Sequence, residues 1–60
     1  MSLGKRCLRF RAENDLSQQK LAEMCRVSKQ TIFMLEHYDI KTSDLTREKI
    51  ELVIGKEQED

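Results

Sequence analysis

The chain has 60 residues, 11 Lys/Arg against 11 Asp/Glu, no proline and only two glycines. That length holds one domain with a small core, burying about 60% of the surface its unfolded form exposes. Few turn residues and much Leu, Glu, Lys, Gln and Arg argue against a β-rich fold and for helices, and no apolar run nears the ~20 residues of a membrane span.

Helical spacing begins over 5–14, where Cys7, Phe10 and Asn14 fall at i, i+3 and i+7 with Arg11 at i+4. Asn14-Asp15 ends this segment, because both side chains compete for local backbone hydrogen bonds. Ser17 is the expected N-cap of a second helix over 17–25, and Arg26-Val27 forms a turn. Ser28 caps a third helix over 28–38. The polar stretch Asp39 to Asp44 then offers Thr42, Ser43 or Asp44 as cap for a fourth helix over 45–56, and residues 57–60 form an acidic, solvated tail. No repeat or linker interrupts the chain, so residues 1–60 are read as a single domain. No segment has signal-peptide form, and the expected location is the cytoplasm.

Zero net charge does not advertise a nucleic-acid binder, but its distribution is uneven. Residues 1–31 hold seven Lys/Arg and three acids, and residues 32–60 hold four Lys/Arg and eight acids. The positive half includes the turn and the start of the third helix, as a one-sided electrostatic footprint requires.

The stretch from Gln18 to Glu36, QQKLAEMCRVSKQTIFMLE, carries the most information. Leu21, Ala22 and Cys25, then Val27, then Ile32 and Leu35 stand where two crossed helices need apolar or small residues. Ala22 permits the ~8–10 Å approach of a helix crossing, which a larger side chain would prevent. Lys29, Gln30, Phe33, Met34 and His37 face outward on the second of these helices. Lysine can reach guanine O6 and N7, and a glutamine amide can bond adenine N6 and N7 bidentately. This is a helix-turn-helix pattern, with the DNA major groove as its destination.

From Arg6 to Gly55 the chain resembles the Cro and phage-repressor type of helix-turn-helix domain, the XRE family. Leu16 to Glu23 is similar to its L-S-Q-x-x-L-A-x opening and Val27 to Ile32 to its V-S-[RK]-Q-T-I turn. Leu35-Glu36 is similar to its closing pair, and Lys49 to Gly55 to its later K-I-x-x-x-[IL]-G helix. The resemblance implies an all-α, compact, lambda-repressor-like domain of four helices, or five. It implies a transcription regulator, of repressor type, that binds double-stranded DNA as a homodimer without cofactor, metal, membrane or small-molecule substrate. Short domains of this type are frequent in phages and other mobile elements, and the resemblance leans that way.

By the same resemblance, Gln18 would touch phosphate and brace the third helix. Ser28, Lys29, Gln30 and Met34 would meet base edges, Thr31 would meet phosphate, and Arg11 with Glu36 would bridge the first and third helices. Three departures stand out. Arg26 occupies a turn position where the family usually has glycine for a positive φ, although it adds charge near DNA. Phe33 and Met34 replace residues often small or charged, and suit either thymine methyls or a protein surface. His37-Tyr38-Asp39 replaces the usual Asn-Gly turn, leaving Lys41 as the cation of the following loop.

Other residues have plainer readings. Cys7 and Cys25 lie on apolar stripes and fill small core volumes, a redox pair being the alternative. Two cysteines and one histidine without ligand spacing do not make a zinc site, and no nucleophile, base and pocket assemble into an enzyme. On the fourth helix Ile50, Val53 and Ile54 make one stripe, while Leu45 and Leu52 either widen it or form a dimer contact. The rival function is a helix-turn-helix scaffold used to bind protein, as an antirepressor or antitoxin-like partner, with Phe33, Met34 and Tyr38 as its contact residues.

Overall fold

The computed structural model describes residues 1–56; the acidic stretch 57–60 lies outside the described residues. Among the described residues the fold is all-α: four helices and no strand, running α1 (Leu3–Asn14), α2 (Gln18–Cys25), α3 (Lys29–Tyr38) and α4 (Asp44–Ile54). No fifth helix occurs in this span.

Each helix starts on a serine. Ser2, Ser17, Ser28 and Ser43 have extended backbones, and each side-chain oxygen accepts from the amide three residues on. This satisfies one of the donors that a helix N-terminus leaves without a partner, an effect of about 1 kcal/mol per cap. Ser17 and Ser28 therefore sit just outside the helices they were expected to begin, and Ser43 is the cap among the three candidates before α4.

Three helix ends turn in the left-handed region: Asp15 at φ 54°, Arg26 at φ 59° and Asp39 at φ 49°. Aspartate tolerates that conformation, whereas arginine carries steric strain of about 1 kcal/mol there. The Arg26 amide donates to the Ala22 and Glu23 carbonyls, so α2 ends properly despite the missing glycine. α4 stops at Ile54, before Gly55 at φ 92°, rather than continuing to Lys56.

The core comprises Leu3, Cys7, Leu21, Ala22, Cys25, Ile32, Leu35 and Ile50, with Phe10, Val27, Val53 and Ile54 packed against it. Every helix contributes. α3 lies against α1 and α2, and α4 closes the far side against the same two helices. Burying each leucine or isoleucine stabilises by about 1.5–3 kcal/mol relative to exposure.

The first helix departs from expectation in three ways. It begins two residues earlier than the periodicity suggests, because Ser2 caps it and Leu3 is buried. Its packing face includes Gly4, whose position would set a Cβ only 1.9 Å from the Leu35 carbonyl oxygen. At that contact backbone meets backbone. Asn14, counted on the apolar stripe, is exposed, and its side-chain amide donates to the Phe10 carbonyl.

Candidate nucleic-acid interface

Two cross-helix ion pairs fix the frame. The Arg11 guanidinium donates to both oxygens of Glu36, from Nε to Oε2 at 2.8 Å and from Nη2 to Oε1 at 2.7 Å. Its Nη1 donates to the Leu16 carbonyl at 3.0 Å. Gln18, the first residue of α2, adds Nε2 to Glu36 Oε1 at 3.0 Å. One carboxylate thus ties α3 to α1 and to the start of α2. Burial pushes the Glu36 carboxyl upward, but the hydrogen bonds from Arg11 and Gln18 outweigh it and hold the group below its ordinary range. The same hydrogen bond raises Arg11.

The second pair has no local signal in the sequence. Arg6 Nη1 lies 3.0 Å from Glu51 Oε2, with both side chains mostly buried, and Arg6 Nη2 donates to the Gly55 carbonyl. Forty-five residues separate the two partners, so only the folded chain brings them together.

These pairs change the electrostatic account. Of the seven cations before residue 32, Arg6 and Arg11 are held by internal carboxylates and Arg9 lies 3.4 Å from Glu13. Lys5, Lys20, Arg26 and Lys29 form no ion pair among the described residues, and all four are exposed. Three of them surround the turn and the two helix starts beside it.

α3 turns its back on the core through Ile32 and Leu35, so its front is open. Lys29, Gln30, Phe33 and His37 are exposed, and Met34 and Thr31 are half-buried. Ser28 Oγ accepts from the Thr31 amide at 3.1 Å, which caps the helix, and lies 2.9 Å from Thr31 Oγ1, so the two hydroxyls are paired with each other. The amides of Gln18, Lys29 and Gln30 belong to first turns of helices, where N–H groups point outward toward anions. Lys41 is exposed in the segment between α3 and α4.

Aromatic contacts add a feature beyond the reach of sequence spacing. Phe33 stacks on His37 with ring centroids 4.2 Å apart, and Tyr38 meets Phe33 edge-on at 6.3 Å. Residues four apart share a helix face, a spacing that marks the pair as neighbours without showing that the rings stack.

On α4 the structure separates the two readings of Leu45 and Leu52. They are 64% and 80% exposed, so they do not widen the core stripe. Cys7 and Cys25 are buried free thiols; burial first, and then the neighbouring Cys25, push Cys7 up to about 12. Among the described residues no group of His, Cys, Asp or Glu could hold a metal ion, and no helix is long and apolar enough to cross a membrane.

Two crossed helices with a braced, polar-fronted second member define a helix-turn-helix protein. The model of the Helix-turn-helix family matches residues 8–57, and the chain belongs to that family, in its Cro and repressor (XRE) type. It is a family of DNA-binding transcription regulators, not of enzymes. No curated protein and no solved structure gives a match.

Proposed function

We propose that the protein is a sequence-specific transcription regulator of repressor type, acting in the cytoplasm on the DNA of its host. It binds a near-palindromic operator as a homodimer and needs no cofactor. The observation that carries this reading is the exposed pair Lys29 and Gln30 at the N-terminus of a helix locked from behind by the Arg11–Glu36–Gln18 network. Base readout requires side chains held to within fractions of an ångström, and such bracing supplies that. Gln18, Arg26, Thr31 and Lys41 serve the phosphates, while Ser28, Lys29, Gln30, Phe33 and Met34 serve the base edges.

The exposed leucines of α4 support the dimer. Leu45 and Leu52 are equidistant in sequence from the Glu48–Lys49 peptide bond, so an antiparallel second copy of α4 sets Leu45 against Leu52 and Glu48 against Lys49. Two leucines a side fall well short of the ~800 Å² per partner of a standard interface. Pairing is therefore expected on adjacent half-sites, where effective concentration is high, rather than in dilute solution.

Selection of bound duplexes from a random library at near-physiological salt tests the reading. An enriched inverted repeat with half-sites about 34–36 Å apart supports it. With that operator, Gln30→Ala should cost about 1–3 kcal/mol at one base position. Equal losses on every sequence would remove Gln30 from base readout. The exposed Phe33 and Tyr38 favour one other reading, a protein-binding module, and the absence of any enriched sequence from a folded protein would favour it.

A further inference from the structure

Phe33 is an apolar ring on a reading face whose other exposed members, Lys29, Gln30 and His37, are polar; Met34 beside it is half-buried. At about 100° per residue it projects between Lys29 and Gln30, on the side opposite the buried Ile32 and Leu35. It is still 39% exposed, yet its ring is not loose. His37 stacks against it at 4.2 Å with 29° between the ring planes, and the Tyr38 ring closes on its edge at 65°. An unsupported phenylalanine at such a position would sample several rotamers and lose that freedom on binding. One braced by a neighbouring ring presents a fixed apolar surface, with the ordering cost already met in the free protein.

The major-groove floor offers little that matches such a surface. Guanine, adenine and cytosine present donors and acceptors there, and thymine alone adds a methyl group. A phenyl ring pressed on N7, O6 or N4 would strip those atoms of water and return no hydrogen bond, which selects against such bases as well as for thymine. Phe33 follows Gln30 by three residues, about 4.5 Å along the helix axis. That is little more than one base-pair step of about 3.4 Å.

We infer that Phe33, held in place by His37, reads the 5-methyl group of a thymine one or two base pairs from the pair read by Gln30. The inference rests on the DNA-reading function proposed above. Phe33 is the contacting residue; His37 is a positioning residue that acts through the ring stack.

The test uses the selected operator with each thymine replaced in turn by deoxyuridine, which removes only the methyl group. Affinities are measured by fluorescence anisotropy at one fixed salt concentration. One thymine in each half-site should lose about three- to fivefold in affinity on demethylation, the worth of one buried methyl-sized group. In Phe33→Ala that thymine-to-uracil ratio should fall to about one. In His37→Ala the ratio should shrink, whereas His37→Tyr, which keeps a ring to stack on, should preserve it. If His37 instead bound phosphate, its removal would weaken thymine and uracil operators alike and leave the ratio unmoved, which would overturn its positioning role. Both positions are exposed, and far-UV circular dichroism checks that the variants fold.

Tight operator binding with no thymine sensitive to its methyl overturns this inference alone. So does a ratio that survives Phe33→Ala. Failure of the folded wild-type protein to bind any DNA overturns the parent reading as well and assigns the aromatic patch to a protein partner.

Discussion

Glu36→Gln removes one charge from the point where α1, α2 and α3 meet and leaves the side-chain shape intact. The Glu36 side chain is 3% exposed and that of Arg11 18%, so the pair is largely dry. Glutamine keeps one acceptor oxygen but turns an NH2 group toward a guanidinium that can only donate. Breaking a buried pair from one side costs about 3–5 kcal/mol, and the residual water access of Arg11 places this case near the lower figure. A 60-residue domain holds roughly 3–9 kcal/mol in total at about 0.05–0.15 kcal/mol per residue, so the change removes a third of the stability or more.

Urea unfolding reads this directly. With a slope of about 1 kcal/mol per molar, the midpoint should drop by about 3 M, or the variant should be unfolded without denaturant. Acid adds a second signature. Because the folded-state Glu36 carboxyl titrates below its ordinary value of 4.5, its contribution is complete above that pH. It is lost as pH falls through the folded-state value. Wild-type stability should therefore decline below about pH 4.5, and the glutamine variant should lack that portion of the decline. A midpoint within about 0.5 M of wild type, with an unchanged acid profile, would refute the assigned role of the network.

Further substitutions probe the backbone and the thiols. Gly4→Ala adds a methyl 1.9 Å from a backbone oxygen that cannot yield, and overpacking of about 1–3 kcal/mol exceeds the ~1 kcal/mol gain in helix propensity. Its melting temperature should fall by several degrees, and a rise would disprove the close α1–α3 contact. Arg26→Gly relieves about 1 kcal/mol of left-handed strain and loses a similar amount to greater unfolded-state freedom. Its stability should therefore barely move while the salt dependence of DNA binding flattens by about one charge. An unchanged salt slope would take Arg26 off the DNA. Cys7 and Cys25 are 0% and 2% exposed, so thiol labelling under mildly alkaline conditions should proceed only through unfolding, as alkylation rates across a urea series would show. Fast labelling of the native protein would revive the redox-pair reading.

Much of this arrangement was legible along the chain. Leu21, Ala22, Cys25, Ile32 and Leu35 occupy the core as their spacing predicts, and Ser17 and Ser28 cap the helices that follow them. Such features are local, since a helical period and a serine three residues before an orphan amide are visible in a window of one turn. Leu3 and Gly4 escaped because a short start to α1 shows no period of its own. Asn14 shares the phase of Cys7 and Phe10, yet it is the last residue of α1 and is exposed.

The chain alone determined four amphipathic segments, the serine caps of the second and third, the helix-turn-helix spacing and the polar front of the third helix, because backbone preference and hydrophobic period act between near neighbours. Tertiary structure decided what depends on distant partners. It brought Arg6 to Glu51 across 45 residues and set Gly4 against the Leu35 carbonyl. It also turned Leu45 and Leu52 outward, because α4 can offer only one stripe to a core this small. Which cations stay available to a phosphate follows from the same cause: a guanidinium buried at a helix crossing must find a carboxylate there, and that carboxylate comes from wherever the fold delivers one.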